Sequence, residues 1–293
     1  MIDVSAEPLP RLAARAVDSH KGDYGRVLVV GGSRGMAGAP SLTGMAALRS
    51  GAGLVTIATP SSAQPTVAAF SPCYMTVPLV EDDYGIADMA NVVDLIEARE
   101  RFDVWAIGPG LGQTEGVAEL VAQLYREIPR PMVVDADGLN ALAAGLRRNS
   151  QLLDNPGGPR ILTPHPGEFA RLAGSSPPPD RPSRAEAALQ LCRRDSSGKT
   201  VVVLKGHESI VADGRKFAVN GTGNPGMATG GTGDCLTGVI AALIGQGLEP
   251  WNAARLGVHV HGLAADLAAE DLGDVGLIAS DLPTYLPHAF KSL

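Results

Sequence analysis

The sequence predicts one doubly wound α/β domain: a mostly parallel central sheet, helices on both faces, and an antiparallel hairpin at one edge. Three observations predict it. Short β-branched runs alternate with Ala- and Leu-rich segments, the order of a βαβ architecture. Runs such as Val27-Leu28-Val29-Val30 and Val201-Val202-Val203-Leu204 are apolar at every position, as strands covered on both faces must be. Asp213-Gly214-Arg215 separates two such runs and carries turn chemistry.

Strands are predicted at Arg26–Val30, Leu54–Ala58, Tyr74–Leu79, Val104–Ile107, Met132–Asp135, Arg160–Thr163, Thr200–Lys205, Ser209–Ala212 and Lys216–Val219. The last two form the hairpin. Helices are predicted at Ala39–Ser50, Thr114–Arg126 and Gly138–Leu146. Another starts at Ser183, where Ser183-Arg184-Ala185-Glu186 reads as a capping box. Two long helices close the chain, roughly Gly233–Gly245 and Pro250–Leu272, and Pro250 suits a first helical position. No internal repeat is visible. The Pro-rich stretch Ser175–Pro182 is too short for an interdomain linker, so residues 1–293 are expected to form one domain.

Composition narrows the function. At 45% hydrophobic residues the chain is not disordered, and at 4% aromatics it lacks stacking platforms for single-stranded nucleic acid. The net charge of −7, without a basic run, argues against any nucleic-acid partner. A small anionic ligand remains compatible, because backbone N–H groups bind phosphate without net positive charge. Cys73, Cys192 and Cys235 have no metal-ligand spacing and cannot form a closed disulfide set, which suits reduced thiols in the cytoplasm. Residues 1–20 lack the apolar stretch of a signal peptide, and no run approaches ~18 apolar residues, so no membrane association is expected.

The most informative segment runs from Asn220 to Asp234, with six glycines between Gly221 and Gly233. It follows a strand and precedes the apolar helix Cys235–Ile244. Glycines let a backbone approach a ligand closely, and a helix N-terminus behind them offers free N–H groups and partial positive charge. Gly231, Thr232 and Gly233 are therefore expected to form an anion hole. A carboxylate at its mouth, Asp234, would repel a phosphate, so its place needs a reason. A general base taking a proton from a substrate hydroxyl is one. Helix capping is the bland alternative for a lone Gly-Asp, and the density of glycine favours ligand binding over it.

Two other readings fail. Gly221-Thr222-Gly223-Asn224-Pro225-Gly226 has the letters of a dinucleotide fingerprint, but no helix opens inside it and no second strand with an acidic end follows. No Gly-x4-Gly-Lys-Ser/Thr occurs, so there is no P-loop. Four more loops that follow strands are rich in glycine or polar residues: Gly31–Ala39, Gly108–Gly112, Asp135–Gly138 and Thr163–Glu168. Five such loops at one sheet edge point to a ligand cleft. His259 and His261 lie two apart on a helix and point away from each other, so packing or a subunit contact is expected, not a metal site. Cys235 has no activating neighbour in sequence and is expected to be a packing residue.

Together these motifs resemble the ADP/ATP-dependent NAD(P)H-hydrate dehydratases of the ribokinase-like superfamily. The resemblance is carried by Lys21-Gly22-Asp23-Tyr24-Gly25, Val29–Ser33, Gly38-Ala39, Ala46–Gly53, Gly108–Gly112, Asp135–Asn140, Thr163-Pro164-His165-Pro166-Gly167-Glu168, Leu204-Lys205-Gly206 and Asn220–Asp234. The Gly-Thr-Gly-Asp end is common to many ribokinase-like kinases; the Lys21–Gly25 and Thr163–Glu168 motifs are more specific. The resemblance implies repair of the hydrated S-epimers of NADH and NADPH. The hydrate hydroxyl would be phosphorylated by ADP or ATP with Mg²⁺, then phosphate eliminated.

It also implies roles. Asp234 is the base; Ala39, Gly110, Gly112, His165 and Asp234 contact the hydrate; Lys205, Gly206, His207, Glu208, Ser209 and Gly233 contact the nucleotide. His207 and Glu208 stand where many relatives carry smaller residues. A homotetramer is implied, with an NAD(P)H-hydrate epimerase as functional partner. The first motif lies too near residue 1 for a preceding epimerase domain to be expected. The alternatives are a ribokinase-like kinase of a vitamin precursor or sugar, and a nucleotide-binding protein without catalysis.

Overall fold

The computed structural model describes residues 1–293. In chain order the elements are β1 (Ile2–Asp3), β2 (Arg26–Val30), α1 (Gly38–Arg49), β3 (Leu54–Pro60), α2 (Gln64–Phe70), β4 (Met75–Leu79), α3 (Val92–Glu97) and β5 (Val104–Ile107). Then follow α4 (Glu115–Glu127), β6 (Met132–Val134), α5 (Ala136–Leu146), β7 (Arg160–Leu162), α6 (Pro166–Ala173), α7 (Arg181–Cys192) and β8 (Thr200–Leu204). The chain closes with β9 (Ile210–Ala212), β10 (Lys216–Val219), α8 (Thr232–Gly245), α9 (Pro250–Leu272) and α10 (Leu282–Lys291).

All ten strands join one sheet in the order β1-β10-β9-β8-β7-β6-β5-β2-β3-β4. Only β9 runs antiparallel to its neighbours. The all-apolar strands are explained by their two burials. Val27, Val29, Val201 and Val203 enter one core of 36 residues, while Leu28, Val30, Val202 and Leu204 enter another of 38. Alternate side chains point to opposite faces, so cores of near-equal size mean helices on both sides. α1, α2 and α8 to α10 cover the face of the 36-residue core, and α3 to α7 the face of the 38-residue core.

The predicted hairpin is present, with Asp213 Oδ1 accepting from the N–H groups of Arg215 and Lys216. It is not the edge: β1 pairs in parallel outside β10. Two residues carry no periodicity, so β1 was not visible in the sequence. The cap of α7 is Asp180, whose carboxylate accepts from Ser183 N–H at 2.9 Å, and not Ser183. Pro182 is tolerated there because the first turn of a helix leaves its N–H groups unpaired. Helices α2, α3, α6 and α10 were also unpredicted; two of them are seven residues or fewer.

Three strands end one residue earlier than predicted. β6, β7 and β8 stop at Val134, Leu162 and Leu204, which frees Asp135, Thr163 and Lys205 to begin loops at adjacent carboxyl ends. The strand order reverses between β2 and β5, the place where open α/β sheets bind ligands. The loops leaving those two strands are joined by Gly32 N–H to Pro109 O at 2.8 Å and Ser33 Oγ to Gly110 O at 2.9 Å.

Helix α8 is held against α1 at backbone distance. A Cβ at Gly238 would lie 2.1 Å from the Thr43 carbonyl oxygen. Gly238→Ala is therefore expected to destabilise the fold by about 1–3 kcal/mol, the usual cost of overpacking. Denaturant unfolding checks this; an unchanged midpoint would show that α1 and α8 can part freely.

Candidate active site

Gly231 opens α8 in the left-handed region, at φ 98°. That turn aims the head of the helix at the ends of β6, β7 and β8. The N–H groups of Gly231, Thr232, Gly233 and Asp234 donate to no protein acceptor, as the first turn of a helix dictates. Free N–H groups thus stand at the three residues where an anion hole is expected, and at Asp234 as well. Asp234 is the third helical residue and its side chain does not cap the helix. The capping alternative is removed by that geometry.

The carbonyls of this turn are held by side chains. His261 Nε2 lies 2.8 Å from Thr232 O, and the Thr43 hydroxyl lies between Asp234 O and Ala39 O at 3.0 and 3.1 Å. His261 is 6% exposed and burial pushes its ring down to about 4, so it is a neutral donor here. The packing role expected of it holds, and it also fixes the head of α8. Cys235 is fully buried, as expected of a packing residue. The Gly-rich loop is tied to α9 through Asp266, which accepts from Gly223 N–H and Asn224 Nδ2 at 2.9 and 3.0 Å. Nothing in the sequence separates Asp266 from a solvated helical acid.

In front of this turn is a cavity of about 850 Å³. Asp234, Gly231, Thr232, Gly233, His165 and the whole stretch Lys205–Ser209 line it. Ala39, Gly110 and Gly112 do not; they form a second group at the ends of β2 and β5. A Cβ at Gly110 would lie 3.1 Å from Ala39 Cβ and 2.8 Å from Met36 O, so only glycine fits there. Gly112 N–H donates to Asp137 Oδ2 at 2.9 Å. The Thr43 hydroxyl connects this group to the first turn of α8, and Asp137 ties it to the start of α5.

Four charged side chains converge on the cavity floor. Lys205 Nζ is 2.6 Å from Asp135 Oδ1 and 3.9 Å from Glu168 Oε2. Burial works against both charges of the first pair, yet their attraction wins: Asp135 is held below its ordinary range and Lys205 above its own. Burial, with the Asp135 charge second, pushes Asp234 up to about 7. Burial does the same to Glu168, also to about 7. A carboxylic acid poised near neutral pH suits proton transfer.

His165 is committed within the protein. Its Nδ1 accepts from Gly167 N–H at 3.0 Å, so the ring proton is on Nε2, which faces Glu168 Oε1 at 3.3 Å. What it offers a ligand is its half-exposed ring. Glu208, at φ 54°, turns its carboxylate to Arg181 on α7, while Arg184 donates to His207 O at 2.9 Å. The Glu208 carboxylate and the His207 carbonyl are thereby fastened to α7, and both residues line the cavity. Asp135, Glu168 and Asp137 were visible as polar loop residues, but not as partners of Lys205 and Gly112.

A family model described as NAD(P)H-hydrate dehydratase matches residues 27–288. The chain belongs to that family. It is 44% identical over 285 residues to a bifunctional NAD(P)H-hydrate repair enzyme of Moorella thermoacetica, covering 97% of this chain and 52% of the relative. The chain spans about half the length of the curated relatives it matches. A solved ADP/ATP-dependent NAD(P)H-hydrate dehydratase from Bacillus subtilis, co-crystallized with ATP/Mg²⁺, is 32% identical. It superposes with a TM-score of 0.78 over 96% of this chain and 94% of that one. A ribokinase-like superfamily protein of Enterococcus faecalis is 28% identical, with a TM-score of 0.77 over 96% and 92% of the two chains. The ribokinase-like fold expected of this dehydratase family member is therefore shown.

Proposed function

We propose that the chain restores NADH and NADPH from their S-hydrates, using ADP or ATP as phosphoryl donor. The observation that carries this reading is the head of α8: four free N–H groups, a lysine cation beside them, and a carboxyl poised near pH 7, in a member of this family. Hydroxide is a poor leaving group and phosphate a good one. Asp234 takes the proton of the hydrate hydroxyl, and its oxygen attacks the terminal phosphorus of the nucleotide. ADP leaves if ATP is the donor, and AMP if ADP is. The N–H groups of Gly231–Gly233 balance the charge on the transferring group. Lys205 adds a full positive charge beside them. The lone pair of the ring nitrogen then expels phosphate, and loss of a proton from the adjacent ring carbon restores the double bond. The sum is hydrate plus ATP giving dihydropyridine, ADP and phosphate.

Mg²⁺ would come with the nucleotide and supply counter-charge to its phosphates. The acidic side chains that line the cavity are not grouped so as to hold a metal ion by themselves. Ala39, Gly110, Gly112 and the His165 ring bound the hydrate, and the Lys205–Ser209 turn with Gly233 bounds the nucleotide. The relatives named bifunctional support an epimerase as functional partner, converting the hydrate epimer this site does not take. A homotetramer and a cytoplasmic location complete the proposal; no helix is long and apolar enough to cross a membrane. The curated and solved relatives favour this reading over a vitamin or sugar kinase.

The test mixes the protein with hydrated NADH, Mg²⁺ and either nucleotide, and follows the dihydropyridine absorbance. Recovery with one of them supports the proposal, and none with either sinks it. Because Asp234 must be ionised to act, kcat/KM is expected to fall about tenfold per pH unit below about pH 7. A rate that stays flat down to pH 5 would remove Asp234 as the base.

A further inference from the structure

We propose that Asp135 is a positioning residue for phosphoryl transfer, anchoring Lys205 Nζ against the head of α8 where the transferring group would meet it. This rests on the phosphoryl-transfer reading above.

Three elements meet at one carboxylate. Asp135, at the end of β6, is 1% exposed. Its Oδ1 takes Lys205 Nζ, from the end of β8, at 2.6 Å, and its Oδ2 takes the Thr237 hydroxyl, from α8, at 2.9 Å. The amine so held stands beside Gly233. A Cβ there would lie 3.0 Å from Lys205 Nζ and 3.4 Å from Asp135 Oδ2. Glycine at 233 thus lets the cation reach the free N–H groups, and the lysine keeps 18% of its side-chain surface open to the cavity.

The anchor itself is held firmly. Asp135 N–H donates to Ile107 O at 3.0 Å, and a Cβ at Gly108 would lie 1.9 Å from Asp135 O. The next residue, Ala136, has φ 49°, a conformation that costs a non-glycine residue energy and persists where surroundings enforce it. Stability does not account for the pair, since replacing a buried ion pair by apolar groups is often neutral or favourable. Placement does. A lysine has four rotatable carbons, and one fixed beforehand loses less entropy when the phosphoryl group arrives.

The test is Asp135→Asn, which keeps the shape and the Thr237 contact but removes the charge that holds the lysine. Trace acetylation read by mass spectrometry is expected to modify Lys205 at least about tenfold faster than in wild type, with exposed Lys199 and Lys291 unchanged. On hydrated NADH with MgATP, kcat is expected to fall about 10–100-fold with KM within about threefold, the pattern of a contact used in the transition state. The acid limb of the pH profile is expected to move down, because Asp234 loses one of the charges facing it and keeps Lys205, Asp137 and Glu168. A merely structural role would leave Lys205 labelling unchanged and would not separate kcat from KM.

Unchanged Lys205 labelling in folded protein, or changed labelling with wild-type kcat, overturns the proposal. If Asp135→Asn does not fold, Thr237→Val removes only the second tether. It is expected to show the same changes in labelling and kcat to a smaller degree, with the limb in place; no change in either overturns the proposal. Wild-type turnover is read first. Its absence would defeat the dehydratase reading, while the labelling still decides whether Asp135 holds the lysine.

Discussion

Asp234→Asn is expected to bind MgATP with wild-type affinity and to lose a factor of about 10²–10⁴ in kcat, the usual worth of a general base. The side chain makes no cap and no ion pair, so its removal leaves the head of α8 intact. The same change is expected to stabilise the fold above pH 7. The sign follows from linkage. A carboxyl raised to about 7 in the folded state and near 4 when unfolded binds its proton more readily when folded. Ionisation at higher pH therefore costs stability, and the cost fades as pH falls from 7 toward 4. The Tm gain of Asp234→Asn should be present at pH 8 and vanish near pH 4. Wild-type turnover in this variant would refute the role.

Lys205→Met is expected to have the largest effect on stability, about 3–5 kcal/mol, because it strands a buried carboxylate. Asp135 is 1% exposed and Glu168 4% exposed, and Lys205 is the cation between them. In wild type the pair is insensitive to moderate pH. The Asp135 contribution is present above the ordinary carboxylate range and is lost as pH falls through its lowered value. The Lys205 contribution is lost only as pH rises through its raised value. Pairing the substitution with Asp135→Leu is expected to restore most of the stability and none of the activity. Denaturant melts of the single and double variants measure this; an additive pair of losses would mean the two side chains do not act together.

Much of this site was legible because glycine and strand ends report backbone needs directly. Gly231 and Gly233 marked the head of α8 with its free N–H groups, and Val201–Leu204 placed Lys205 at the carboxyl edge of the sheet. The cation's partners were not legible. Asp135 and Glu168 lie 70 and 37 residues from Lys205 in sequence, and only the parallel order β6-β7-β8 brings their loops together. His165 illustrates the opposite case. Its motif was plain, but that both ring nitrogens serve α6 and Glu168 depends on a tautomer no spacing reveals. β1 and the short helices escaped because a few residues bear no period; they are stabilised by what they cover.

In the proposed reaction one site first transfers phosphoryl to the hydrate and then expels it. The most direct measurement follows phosphate release and dihydropyridine recovery together, with hydrated NADH and MgATP. One phosphate and one ADP for each restored dihydropyridine is the predicted result. A phosphorylated hydrate that accumulates without releasing phosphate would make the protein a kinase and contradict the account.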